Sequence, residues 1–330
     1  MLKTWSLLFF RFAGIPTCDI KLSSAKYKKM QVKFKPHTEI VGYGYSQGHH
    51  GEIFQGVTLQ GGKKRPQPVL VTLPCPRYRS TAVYHGLPQQ SLQILPSNKT
   101  KALRAALHTL ALLGVSRLGG WLSIDSNIPV GRGLGSSSAD VIAAIRAVAN
   151  AFGKTLPPQT IARLAVQAEA ASDSLMFDDA CVLFAQREGV AVERFSAPLP
   201  PMDILSIQYI SESASIDTIA LPLPEYSTQE AVEFAALLNR LRQCVLERDP
   251  GQVAAVASAS ARINQLFLHK PHLEEIECIG RSYGALGVQV AHSGSVIGLL
   301  FSKGDREGAI SARYELGAYL GSAVELRLFD

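Results

Sequence analysis

The 330-residue chain lacks the features that would place it in several large protein classes. No uninterrupted apolar run reaches the roughly 18 residues that a membrane-spanning helix needs. The longest candidate, Trp5–Ile15, is broken by Arg11 and has no clear signal-peptide cleavage site, so a soluble protein with no membrane partner is expected. The five cysteines (Cys18, Cys75, Cys181, Cys244 and Cys278) are odd in number and widely spaced, with no CxxC pair and no Cys/His cluster of zinc spacing. Free thiols in a reducing cytoplasm are the expected state. Internal repeats and low-complexity tracts are also absent. With 47% hydrophobic and 18% charged residues, the composition excludes a disordered chain. The eight histidines are scattered except His49–His50, which read as loop residues and not as metal ligands.

The net charge of +6 is unevenly placed. Of 33 Lys/Arg and 27 Asp/Glu, eight and one lie in residues 1–36, leaving 25 and 26 in the other 294 residues. The body is therefore close to neutral and the basic character belongs to the N-terminal extension, which is expected to be poorly ordered. Met30, just before the strand pattern Gln31–Phe34, offers an alternative start of translation. No nucleic-acid partner is expected, because only this extension has the charge for one. The sequence carries no reading of oligomeric state.

Hydrophobic periodicity predicts short strands beginning at Glu52, Pro68 and Arg79, the first after a loop rich in Gly, Tyr and Ser. A helix is expected over Thr100–Leu113, a strand over Gly120–Ile128, and helices over Ser136–Phe152 and Thr160–Ala171. Strand pattern returns at Val190–Phe195. The run Ala197–Pro198–Leu199–Pro200–Pro201 then marks a boundary between a unit spanning 37–197 and one spanning 202–330. The second unit reads as a strand at Asp203–Ile210, helices at Thr228–Glu247, Pro250–Phe267 and His272–Leu286, and a strand–turn–strand over Gly287–Phe301. It closes with a helix at Asp305–Leu316 and a strand at Ala323–Phe329. Strands and helices mix without strict βαβ alternation, which favours an α+β fold over a doubly wound sheet.

The most informative segment is Pro129–Val130–Gly131–Arg132–Gly133–Leu134–Gly135–Ser136–Ser137–Ser138–Ala139–Asp140. Glycines at alternate positions let backbone N–H groups turn inward, and the loop runs into a helix whose first amides lack intrahelical partners. That is a ready anion site. The three serines can cap the helix or offer hydroxyls to phosphate or Mg²⁺. No lysine follows the glycines, so this is not a Walker A loop, and the GxGxG spacing is not a Rossmann fingerprint.

This string resembles the central motif of the GHMP kinases, Pro-x-x-x-Gly-Leu-Gly-Ser-Ser-x-Ala, matched at every fixed position from Pro129 to Ala139. The resemblance implies a two-domain fold, with an N-terminal domain like ribosomal protein S5 and a C-terminal ferredoxin-like α/β domain. It implies ATP bound on Pro129, Gly131, Arg132, Gly133, Leu134, Gly135, Ser136, Ser137 and Ser138, with Ser137 helping to hold Mg²⁺. The family's first motif has its counterpart in Gly42–Glu52, which keeps the Gly51–Glu52 pair but lacks the basic residue of several members. Glu52 reads either as a cleft residue or as a structural carboxylate on backbone amides. The third motif corresponds to Val288–Leu299, with Ser293–Gly294–Ser295 at its turn and His292 as a packing residue.

Glu169 and Asp173 lie four apart, so a continuous helix would put both carboxylates on one face. By resemblance Glu169 is expected to ligate Mg²⁺ and Asp173 to orient or deprotonate the acceptor hydroxyl, with Asp178 and Asp179 as competitors. Three segments, Gly51–Gly56, Glu169–Phe177 and Gly287–Ser295, resemble the L-threonine kinase branch linked to propanediol utilisation and cobalamin side-chain synthesis. Lys270–Pro271 before a helix looks similar too. The expected partner is a small-molecule alcohol, with Ser46, Glu52 and Ser293 as candidate substrate residues. Alternatives are a kinase for homoserine, a sugar or a secondary-metabolite precursor, and a non-catalytic nucleotide-binding relative.

Overall fold

The computed structural model describes residues 40–58, 66–88, 91–178, 180–210, 226–291 and 294–329. The basic extension, the strand pattern at Gln31–Phe34, Asp179, His292 and Ser293 lie outside the described residues. The strands are β1 (Ile40–Thr58), β2 (Gln67–Leu87), β3 (Leu92–Leu95), β4 (Gly119–Ser126), β5 (Val182–Ala185), β6 (Val190–Arg194), β7 (Met202–Tyr209), β8 (Gly287–Val290), β9 (Val296–Ser302) and β10 (Val324–Phe329). The helices are α1 (Thr100–Leu112), α2 (Ser136–Ala151), α3 (Pro158–Glu169), α4 (Thr228–Glu247), α5 (Pro250–Asn264), α6 (Leu273–Ser282) and α7 (Arg306–Leu320).

The strands run in the order β10-β7-β9-β8-β1-β2-β4-β3, with β5 paired to β2 and β6. Among the described residues only β3–β4 is parallel. This is the α+β organisation expected from the mixed element order. The two halves of the sheet join where β1 meets β8 through the pair Glu52–Val290. Among the described residues no helix is long and apolar enough to cross a membrane.

Three differences from the sequence reading bear on the site. Residues 42–51 are strand and not loop, because Gly42 and Gly44 serve helix packing. A Cβ on Gly44 would stand 1.9 Å from the Ala143 carbonyl, and one on Gly42 would stand 2.2 Å from that of Ala147. Bare backbone there lets α2 lie directly on β1, with Ile142, Ile145 and Val148 fully buried. Each such side chain contributes roughly 1.5–3 kcal/mol. Second, the separate strands expected at Pro68 and Arg79 are one long β2. Pairing of β1 with β2 slips between Gln47 and Gly48, between His49 and Glu52, and between Glu52 and Phe54. Irregularities of this kind re-aim side chains, and here His49, His50 and Glu52 are all buried. Third, α3 stops at Glu169 because Ala170 takes a left-handed conformation, φ 67°. Asp173 therefore lies in the turn beyond the helix and not on its face.

Candidate active site

Gly131, Gly133 and Gly135 all have φ between 75° and 80°, the left-handed region that the alternating glycines imply. Gly135 is the N-cap of α2, and no side chain caps that end. Side chains cap α4 (the Ser227–Glu230 capping box), α5 (Asp249) and α7 (Asp305), while α1, α3 and α6 start without one as α2 does. What sets α2 apart is the run of left-handed glycines before it. The first amides of α2 are thus left without a side-chain acceptor at the positive end of the helix dipole, an arrangement that can hold an anion. The expected serine cap is absent because the N-cap position falls on Gly135, which has no side chain, and two of the serine hydroxyls bond elsewhere. Ser137 Oγ donates to Glu169 Oε2 at 2.7 Å, and Ser138 Oγ accepts the Asp173 N–H at 3.3 Å. Ser136, Ser138 and Leu134 are buried beneath the loop.

Glu169 is buried, and burial raises its pKa to about 7. The Asp173 charge pushes the same way, against the hydrogen bonds from Ser137 and Ser172 and the charge of Lys101. Its Oε1 is buried without a hydrogen-bond partner. The structure thus brings Ser137, Glu169 and Asp173 together by a turn after α3 and not by helical spacing. Of the competing acids, Asp178 is half exposed and paired with Arg146 at 2.8 Å, away from the loop.

The sequence reading missed His49. Its Nε2 lies 3.1 Å from Asp173 Oδ2, its Nδ1 accepts the Gly51 N–H at 2.9 Å, and its own N–H donates to the Leu134 carbonyl at 3.2 Å. With Nδ1 held as acceptor, the neutral tautomer carries its proton on Nε2, aimed at Asp173. Burial lowers the proton affinity of the imidazole, but the carboxylates of Asp173 and Glu52 outweigh it and raise its pKa to about 9. His49 therefore puts a buried basic side chain in the segment where the sequence reading found none. Its neighbour His50 is also buried, and burial lowers its pKa to about 3. It stays neutral, with Nδ1 2.5 Å from Gln289 Nε2.

Further residues surround this centre. Glu52 lies beneath His49, with Oε1 3.8 Å from Nδ1. Ligand atoms of His49, Glu52 and Asp173 all fall within 4.8 Å of one another, a spacing a metal ion accepts. In the described geometry both ring nitrogens of His49 are engaged, Nδ1 by the Gly51 N–H and Nε2 by Asp173, so the trio forms a closed polar network. Lys270 is buried, its pKa lowered by burial to about 8 against the pull of Glu52, and its Nζ donates to the Gly294 carbonyl. Ser46 is fully buried and bonds the Gln47 carbonyl. The Arg132 guanidinium is turned to the Tyr209 carbonyl at 2.7 Å, so its charge is anchored at the end of β7.

Outside the loop a cavity of about 250 Å³ is lined by Asn98, Lys99, Thr100, Lys101, Val130 and Ser137, among others. At its base Lys99 Nζ meets Asp140 Oδ2 at 2.5 Å, and Ser80 Oγ donates to Oδ1 at 2.6 Å. This cluster was also not foreseen.

Comparison with known proteins fits this geometry. The sequence model of the GHMP kinase N-terminal domain matches residues 100–186, and that of the GHMP kinase C-terminal domain matches residues 241–318. The first match holds the loop, Glu169 and Asp173; β1, with His49 and Glu52, lies outside both. The L-threonine kinase of Salmonella typhimurium (strain LT2) is 28% identical over 207 residues, 63% of this chain and 65% of that protein. The chain thus spans slightly under two thirds of that relative's length. The L-threonine kinase of Citrobacter freundii is 26% identical over 253 residues, 77% and 84% of the two chains. Among solved structures, a homoserine kinase from Cytophaga hutchinsonii superposes with a TM-score of 0.65 at 15% identity, covering 91% and 97% of the two chains. A mevalonate kinase from Staphylococcus aureus MRSA252 gives 0.58 at 18% identity, covering 88% and 99%.

Proposed function

Because the chain belongs to the GHMP kinases and has their two-domain fold, we propose that it transfers the terminal phosphoryl group of ATP to a small alcohol. L-threonine is our acceptor of choice, giving O-phospho-L-threonine. The observation that carries the reading is the meeting of two pairs, Ser137–Glu169 and Asp173–His49, at the uncapped end of α2. The two L-threonine kinase relatives support threonine as acceptor.

In this reading the loop amides and the first turn of α2 bind the ATP phosphates, and the adjoining cavity takes the remainder of the nucleotide. Ser137 Oγ and the unpartnered Glu169 Oε1 form a hard oxygen donor set that fits Mg²⁺. When bound, that ion neutralises phosphate charge. Asp173 accepts the acceptor's hydroxyl proton as its oxygen attacks phosphorus, and His49 Nε2–H holds the Asp173 carboxylate in place. Positioning and charge neutralisation supply most of the rate. We read the buried Ser46 and Glu52 as supports of the site floor and not as contacts to the acceptor. We keep 37–197 and 202–330 as the domain limits.

The test is ADP release from Mg·ATP with L-threonine, L-serine, homoserine, mevalonate and a set of sugars. Turnover with L-threonine well above the rest is the expected result. Preference for another alcohol keeps the kinase and removes threonine, whereas no turnover with any acceptor contradicts the reading.

A further inference from the structure

The glycine loop is also held from the C-terminal half of the chain. Lys270, between α5 and α6, is 2% exposed, and its Nζ donates to the Gly294 carbonyl at 2.5 Å. Gly294, at φ 116°, lies so close to the loop that a Cβ there would stand 2.3 Å from the Arg132 carbonyl oxygen and 2.7 Å from Gly133 N. Arg132 Nη1 donates to the Tyr209 carbonyl at 2.7 Å, and the Tyr209 hydroxyl donates to the Pro271 carbonyl at 2.8 Å. The contacts therefore close a ring from Lys270 through Gly294, Arg132 and Tyr209 back to Pro271. Gln265 fixes the segment that carries it, with Oε1 accepting the Lys270 N–H at 2.6 Å and Nε2 donating to the Lys270 carbonyl at 2.9 Å.

Burying an ammonium is costly unless hydrogen bonds and opposite charge offset it. An apolar chain of the same length would fill this space without that cost, so packing alone does not account for a lysine. Beside its attraction to the Glu52 carboxylate, the ammonium adds a grip on one carbonyl, at the tip that touches the glycine loop.

We propose that Lys270 is a positioning residue for the nucleotide site. Through Gly294 it holds the third-motif tip on the Arg132–Gly133 turn and so fixes the spacing of the loop amides. Tyr209 acts on the same turn through Arg132. The inference rests on the reading of this loop as the nucleotide site. It places control of nucleotide affinity partly in the C-terminal half, apart from the Asp173–His49 pair.

The test uses the full chain and the binding of a fluorescent N-methylanthraniloyl-ADP with Mg²⁺, which needs no knowledge of the acceptor. Lys270→Met is expected to weaken binding about tenfold or more, and Tyr209→Phe about threefold, because small displacements of positioning groups are amplified. The double variant should fall short of the product of the two, since both act on one turn. With an acceptor that turns over, KM for the nucleotide should rise while KM for the acceptor stays fixed. If both variants melt lower yet bind nucleotide as the parent does, Lys270 is structural only and the proposal fails. If Lys270→Met does not fold, Lys270→Gln decides, because it removes the ammonium while keeping a polar side chain of similar size. Parent-like nucleotide affinity there overturns the proposal, whereas Tyr209→Phe removes only the hydroxyl bond to Pro271. A parent protein that binds no nucleotide gives a different signature and overturns the nucleotide reading itself.

Discussion

The glycine loop and the floor beneath it touch, yet they are built in opposite ways. The loop is one continuous stretch, 129–138, bent by three left-handed glycines, and the groups proposed to bind phosphate there are backbone amides. The floor is assembled from His49 on β1, Glu52 three residues on, Asp173 after α3 and Lys270 before α6, and it works through side-chain charge. A loop of this kind tolerates side-chain change except at its glycines. The floor tolerates little anywhere, because each buried charge is offset by the next. Gly135 is where the two meet, since a Cβ there would stand 2.4 Å from His49 Cδ2.

That junction gives the largest expected effect. Gly135→Ala adds about 1–2 kcal/mol of left-handed strain and drives a methyl into the imidazole, breaking loop and floor together. Turnover should fall more than about 10³-fold, with a lowered Tm, measured by ADP release and thermal melting. Glu169→Gln removes the carboxylate proposed to hold Mg²⁺ with Ser137 and should cost about 10²-fold in kcat/KM for Mg·ATP. The pH profile sharpens this point. Because Glu169 ionises near pH 7 and not near 4.5, kcat/KM should fall about tenfold per unit below pH 7 in the parent and stay flat in the variant. The same raised pKa means that the stability Glu169 adds is present at low pH and lost as pH rises through 7.

His49→Gln tests the Asp173–His49 part of the floor, apart from Lys270. It should lower kcat about tenfold while leaving nucleotide affinity within twofold, a split read from steady-state kinetics beside nucleotide binding. The raised imidazole pKa adds stability fully present below about pH 6.5 and lost as pH rises through about 9, so melting curves across pH 6–10 should flatten in this variant. Smallest of all, Asp178→Asn removes a half-exposed ion pair with Arg146 and should leave kcat unchanged and Tm nearly so.

How much could be read in advance follows the same division. The loop was legible because its chemistry is local and marked by glycine, proline and serine in fixed order. The α4 limits were legible too, since Ser227 and Glu230 signal the helix start directly. The floor was hidden for identifiable reasons. Gly42 and Gly44 suggested a turn, whereas they admit α2 against β1, so His49 seemed to lie in a loop. The α3 stop at Ala170 carries no glycine to announce it, so the sequence left open whether the helix ran on to bring Asp173 onto the face of Glu169. The Glu169–Asp173 pairing survives the stop because the turn brings the chain back under Ser138. Lys270 stood out only as a Lys-Pro pair, since its burial depends on strands that follow it in sequence.

The most direct measurement is ADP release from Mg·ATP with L-threonine by Asp173→Asn, beside nucleotide affinity measured on the same preparation. Loss of kcat of about 10³-fold with nucleotide affinity within twofold of the parent is the predicted result. An Asp173→Asn protein that still turns over at the parental rate would contradict the account, because the floor would then have no part in the chemistry.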